Sequence, residues 1–330
     1  MTDEHRRVTF RRGRTNDPFL SVRGMASVAL VFVLIITEAC AATNAQMAEG
    51  PPAVPLGAFV LEGIEKTKEA ITEEAQPSAP ASEPKLIELK ALLEERLAMQ
   101  EGTWAVYVKD ISIDEDLSIN NGKMVSASLI KLFIMAAVLD RIDAGMLADS
   151  AQIRALLEQM ITVSDNESSN ELVAILGDGD FGLGMEKVNE YVLSHGYPDT
   201  EQQRDMKDYR PVPIPEQNYT SVDDCGLLLD RIYHGECISP DADEDMLDLL
   251  RAQTRIWKIP SGLPSGVQSA NKTGELPDTE NDTALVFAPW GDYLVCIMGN
   301  DLPDTEAAQQ QIVDLSSFIY DQLEAGRHVP

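Results

Sequence analysis

The chain has 330 residues, 44% of them hydrophobic, and carries 55 acidic against 26 basic residues for a formal net charge of −29. A surface this acidic repels nucleic acid and anionic lipid, which excludes both as partners of the folded part. Its four cysteines and four histidines show no metal-ligand spacing, so no zinc site and no cofactor is expected.

Six arginines precede residue 24, and an apolar stretch from Met25 to Ile36 is followed by Ala39, Cys40, Ala41 and Ala42. Residues 1–45 therefore read as an export signal, cleaved near Ala41 or Ala45, or as a short anchor. The apolar run is short for a bilayer span, and Thr37-Glu38-Ala39 before Cys40 matches a lipidation box poorly. Residues 46–84 carry Pro51, Pro52, Pro55, Pro77, Pro80 and Pro84 among many Glu and Ala, the composition of a tether. Leu61, Ile64 and Ile71 allow a short helix within it. An exported protein, secreted or held at a membrane or cell wall, is the expected location, with any membrane contact confined to the N-terminal segment.

Residues 85–330 suffice for one large core or two interleaved lobes. Periodicity predicts a helix over 85–99, strands over 103–109 and 116–119, and a buried helix starting near Ser128. Asn121-Gly122 marks a turn before it, and Ser126 and Ser128 are both candidate caps. Helices follow over 151–163, after Ser168, and over 185–193, 222–233 and 243–252; strands return over 266–272, 284–288 and 293–298; a helix over 305–323 closes the chain. The expected fold class is α+β: an antiparallel β-sheet flanked by N- and C-terminal helices, with an all-helical lobe inserted at about 129–265.

Three motifs occur in order along this frame: Ser128-Leu129-Ile130-Lys131, Ser164-Asp165-Asn166 and Lys272-Thr273-Gly274. S-x-x-K also occurs at Ser82 and Ser269, but only Ser128 opens an apolar helical run. Residues three apart share a helix face, so the Lys131 amine is expected one turn from the Ser128 hydroxyl. Desolvation in that run, with positive charge from Lys272, would lower the Lys131 pKa and let it take a proton. Nucleophile, base, a second hydroxyl to relay a proton and a cation for an anionic substrate are the parts of an acyl-transfer site.

From about Lys85 to Leu323 the chain resembles the class A β-lactamase and penicillin-binding serine hydrolase superfamily, both in these motifs and in the stretch from Ala137 to Gly145. The resemblance implies Ser128 as acylated nucleophile, Lys131 as its base and Ser164 as proton shuttle to the leaving nitrogen. It implies Asn166 as a contact to the substrate amide, and Lys272 with Thr273 of the Lys-Thr-Gly274 motif as anchor for its carboxylate. The backbone amides of Ser128 and Leu276 would form the oxyanion hole. It also places Met206 where the family's loop glutamate activates the deacylating water; Glu201, Asp205, Asp208 and Glu216 are near but out of register. The Ser128 to Ser164 interval is shorter than is usual in class A enzymes by about two dozen residues, which implies loss of a surface excursion.

A β-lactamase working through a Ser128 acyl-enzyme is the leading expectation. A D-alanyl-D-alanine peptidase or penicillin-binding protein with slow deacylation is the alternative, and a catalytically silent cell-wall-binding module the rival of another class. A β-lactam or a peptidoglycan stem peptide is the expected partner, and no signal for oligomerisation is present. His195 and His234 stand at helix ends as caps rather than as catalysts. Cys296 lies in a strand; Cys225 and Cys237 flank the 222–233 helix and bridge only if the chain folds back by a helix length.

Overall fold

A computed structural model of the protein describes residues 85–206 and 216–327. The expected export segment, the tether, Cys40 and Asp208 lie outside them. The first helix, α1 (Lys85–Leu97), turns into β1 (Thr103–Asp110), which pairs with β2 (Glu115–Ile119). The two-residue β3 (Met124–Val125) leads into a 3-10 turn, Ala127–Leu129, and the central helix α2 (Ile130–Asp143). Helices α3 (Ala151–Thr162), α4 (Asn166–Leu176) and α5 (Phe181–Ser194) follow. A short strand β4 (Tyr219–Thr220) pairs with β3. Helices α6 (Val222–His234) and α7 (Pro240–Arg251) complete the lobe. Strands β5 (Gln268–Leu276), β6 (Thr279–Phe287) and β7 (Tyr293–Asn300) then precede α8 (Thr305–Arg327).

The five long strands form one antiparallel sheet in the order β2-β1-β7-β6-β5. Both faces are covered, so β7 reads as an unbroken apolar run while its side chains alternate between two cores. Tyr293, Val295 and Ile297 join α1 and α8 on one face. Leu294, Cys296 and Met298 join the helical lobe on the other. Inside that lobe every residue of α2 from Ile130 to Leu139 is buried, as expected of a helix apolar on all sides. No helix among the described residues is long and apolar enough to cross a membrane.

The expected α+β fold with its inserted helical lobe is the one observed, with local differences at the ends of several elements and two short strands, β3 and β4, beyond those expected. Neither Ser126 nor Ser128 caps α2 with its side chain; the chain enters through the 3-10 turn, and the Ser126 hydroxyl bonds to Ala127 O instead. Helix α4 starts at Asn166 rather than after Ser168, because Asp165 accepts from Ser168 N and caps it. Strands β5 and β6 are longer than expected: β5 runs on through residues 273–276, and β6 starts earlier, over the polar stretch 279–283.

Helices α4 and α5 cross closely at Gly184, where an added Cβ would sit 1.7 Å from the Val173 carbonyl oxygen, a backbone atom that cannot swing away. Gly184→Ala is therefore expected to lose about 3 kcal/mol of folding free energy, read as a lower urea midpoint at unchanged slope.

Candidate active site

The Ser128 turn is held in an uncommon backbone geometry. Ala127 has φ of +45°, a left-handed value that a side chain disfavours. Strand β5 packs directly against this turn: a Cβ on Gly274 would lie 2.8 Å from Ser126 O and 3.1 Å from Ser128 N. Glycine at 274 is thus the residue that lets the strand edge approach the Ser128 amide.

Ser164 is built in the same way. Its φ is +62°, so the chain reverses there, and Asp165 then caps α4. The Ser168 hydroxyl, and after it the Ser168 amide, hold the Asp165 carboxyl below the usual carboxylate range against the opposing effect of burial. The reversal aims the Ser164 hydroxyl between two buried lysines. Lys131 Nζ, from α2, donates to Ser164 O at 2.7 Å, to Ser164 Oγ at 3.3 Å and to Asn166 Oδ1 at 2.6 Å. Lys272 Nζ, from β5, donates to the same Ser164 Oγ at 2.9 Å and to Thr273 O at 2.8 Å. Burial first, and then the positive charge of Lys131, hold the Lys272 ammonium well below the ordinary lysine range.

A small cavity opens beside Ser128. Ala127, Ser128, Glu275 and Leu276 form one wall and Arg204, Met206, Gln217 and Asn218 the other. Met206 is fastened at both ends: its amide donates to Asn170 Oδ1 at 2.8 Å, and its sulfur lies 3.2 Å from Asn218 Nδ2. Asn170 stands one helical turn after Asn166 on α4, and its buried Nδ2 has no partner among the described residues. Asn218 also accepts from the amides of Gln203 and Arg204, which closes the base of the loop.

The residues singled out in the sequence are therefore gathered in two groups. Lys131, Ser164, Asn166 and Lys272 form one hydrogen-bonded cluster, with Thr273 and Gly274 on the strand beside it. Ser128 and Leu276 share the cavity with Met206. Glu275 lines it too, so β5 brings two consecutive amides past Gly274; neighbouring amides of a strand point to opposite edges, and only one can face Ser128. Of the loop acids, Glu201 is engaged by Lys123 and Glu216 is exposed.

Sequence reasoning missed Asn170 and Asn218, which carry no spacing signal because their side chains bond to residues well separated from them in the sequence. His195 and His234 bond to carbonyls of the last turns of α5 and α6, Tyr191 O at 2.8 Å and Asp230 O at 2.9 Å, as caps do. Cys225, Cys237 and Cys296 are free and buried. No bridge joins Cys225 to Cys237, because α6 keeps them a helix length apart: Cys225 lies by Thr220 Oγ1 and Cys237 by the Tyr191 hydroxyl. No group of metal-ligating side chains occurs among the described residues.

A profile described as the Beta-lactamase enzyme family matches residues 88–155 and 148–323. No curated protein sequence matches the chain. Among solved structures, PBP-A superposes with a TM-score of 0.63 at 24% identity, covering 73% of this chain and 97% of its own. A leucine-to-glutamate mutant of PBP-A, in an acyl-enzyme complex with penicillin G, gives 0.63 at 23% identity over 73% and 97%. A β-lactamase from Sphaerobacter thermophilus gives 0.61 at 24% identity over 73% and 98%. At such identities the likeness is one of fold.

The loop that bears Met206 is anchored from behind by Asp224 of α6, whose carboxylate accepts from Asp199 N at 3.0 Å and Thr200 Oγ1 at 2.7 Å. Burial pushes the Asp224 carboxyl up to about 6. The folded chain then holds this proton more tightly than the unfolded one, so the group's contribution is complete near pH 4 and is lost as pH rises through about 6. Against Asp224→Asn, which keeps the acceptor and cannot ionise, the wild type is expected to lose relative stability over that interval, measured by urea unfolding at a series of pH values.

Proposed function

The chain belongs to the β-lactamase enzyme family, and from that premise we propose that it is an acyl-serine hydrolase in which Ser128 is acylated by β-lactams or by D-alanyl-D-alanine peptides. The observation that carries this reading is the meeting of the Lys131 and Lys272 amines at one hydroxyl, Ser164 Oγ. Acyl transfer needs a proton removed from the nucleophile and delivered to the leaving nitrogen. Lys131 follows Ser128 by three residues and touches Ser164, so it takes the first proton and passes it to the group that makes the delivery. Lys272 orients the Ser164 hydroxyl through its bond to Oγ and, with Thr273, meets the substrate's carboxylate. A carboxylate brought beside Lys272 favours its charged form, so the anion anchor is completed by the substrate itself.

As the Ser128 oxygen attacks the carbonyl, negative charge develops on the carbonyl oxygen. The amide of Ser128 and that of Leu276 or its neighbour Glu275 stabilise it, since Gly274 brings this strand edge against the turn. Asn166, fixed by Lys131, presents its amide nitrogen to the substrate's amide carbonyl.

The far wall of the cavity favours slow deacylation. A thioether replaces a general base at Met206, and its neighbours Asn170 and Asn218 are amides that do not accept a proton from water at neutral pH. The penicillin-binding and peptidase reading is thus the better supported of the two enzyme readings. Export and attachment at the cell wall, proposed from residues 1–84, fit a peptidoglycan substrate.

Two outcomes are expected when the protein is mixed with benzylpenicillin and its intact mass followed over time. The wild type gains the mass of one penicillin and keeps it through many turnover times of an ordinary β-lactamase, while Ser128→Ala gains nothing. A wild type that takes up no mass would refute the acyl-serine reading and leave the silent wall-binding module. In Met206→Glu a carboxylate takes the position that Asn170 and Asn218 now fasten, and loss of the adduct is expected to accelerate by about 10²-fold.

A further inference from the structure

Behind the site lies a buried cation that the reaction above does not use. Lys258 stands between α7 and the 3-10 turn Ile259–Gly262 and is fully buried. Its ammonium donates to Asn281 O at 2.7 Å, Glu280 Oε2 at 2.9 Å, Glu275 Oε1 at 3.0 Å and, at the limit of a hydrogen bond, Gly274 O at 3.4 Å. Two of these acceptors belong to β5 at the cavity wall and two to β6. Burying an ammonium is costly, and a pair of well-packed apolar residues often serves stability as well. The four bonds place the end of β5 relative to β6, whatever they add to stability.

The second half of the device is Asn281, which pairs with Gly274 across the β5–β6 ladder and is fully buried. Its Nδ2 donates to Val125 O at 3.0 Å and Ser126 O at 3.1 Å, the two carbonyls before the nucleophile turn, while its Oδ1 accepts from Gly299 N. One residue thus receives Lys258 on its carbonyl and holds the Ser128 turn with its side chain. The left-handed Ala127 follows directly on the carbonyls it grips. Ionisation agrees with this picture: although burial alone would raise it, the Glu275 carboxyl is held below the usual carboxylate range by the charge and hydrogen bond of Lys258.

We propose that Lys258 and Asn281 are positioning residues for acyl transfer, setting the spacing between the Ser128 amide and the β5 edge beyond Gly274, and with it the oxyanion pocket. The inference rests on the acyl-serine reading above. It differs from a purely structural role in what it predicts: loss of the device slows the chemical step in protein that is still folded.

The test follows acylation of the full chain by benzylpenicillin at several concentrations, which separates the acylation rate constant from the dissociation constant of the complex before it. Asn281→Asp keeps the size but loses both donors. Lys258→Met leaves Glu280 buried and unpaired, so Lys258→Met/Glu280→Gln is made beside it to keep a stably folded protein, checked by thermal melting. In Asn281→Asp and in the double variant the acylation rate constant is expected to fall about 10²-fold, with the dissociation constant changed by less than about threefold. Either folded variant acylating within about threefold of wild type would overturn the proposal while leaving the acyl-serine reading intact. A wild type that forms no adduct would overturn both, so the two failures are told apart by the wild-type arm.

Discussion

Two lysine amines that share one serine hydroxyl set the terms for the rest of this molecule. Lys131 is rooted in the central helix of the lobe and Lys272 in the edge strand of the sheet, so their meeting at Ser164 joins the two lobes at a single atom. Like charges at such range, fully buried, are unfavourable unless acceptors surround them. Ser164 and Thr273 carbonyls and the Asn166 amide oxygen supply those acceptors. Ser164 can present both its carbonyl and its hydroxyl only because its backbone is left-handed, and Asp165 keeps it so by capping α4. The Ser-Asp-Asn order is thereby explained residue by residue: reversal, cap, first helical turn.

The opposite side of the site is arranged by amides instead of charges. Asn170 and Asn218 hold Met206 by its backbone and its sulfur, and Asn281 and Asn300 hold the segment before Ser128, with Val125 N donating to Asn300 Oδ1 at 2.7 Å. Side-chain amides suit this task because each provides donor and acceptor together and carries no charge to perturb the lysines. The result is a Ser128 turn tied to the sheet and a loop tied to the lobe, with the cavity between them.

What could be read from the sequence and what could not divide along physical lines. Apolar periodicity is strong in α2 and β7, and both were placed correctly, as was the order of all the long elements. The first half of β6 was missed because Glu280, Asn281, Asp282 and Thr283 are buried polar residues, and a strand that buries hydrogen-bonded polar groups has no alternation of apolar and polar side chains to detect. Lys258 was invisible for the same reason, since a lone lysine in a loop reads as solvated until its four acceptors are brought around it. The three motifs were legible because they are short in sequence and their chemistry is local. The left-handed backbone at Ala127 and Ser164 was not, because neither residue type announces it.

The middle of the sheet joins segments far apart in the sequence. Val106 of β1 pairs with Ile297 of β7, and Asp110 of β1 holds Arg327 of α8 at 2.6 Å, so the first strand waits about 190 residues before it gains this partner. Strand β2, the helical lobe, β5 and β6 all fall within that interval. Loop closure of that size must precede the contacts that repay it, which makes the protein a high-contact-order folder. During synthesis the lobe has its own apolar core to collapse upon while β1 still presents an unpaired edge, so sheet assembly sets the pace at which the Ser128 turn and the edge strand come together.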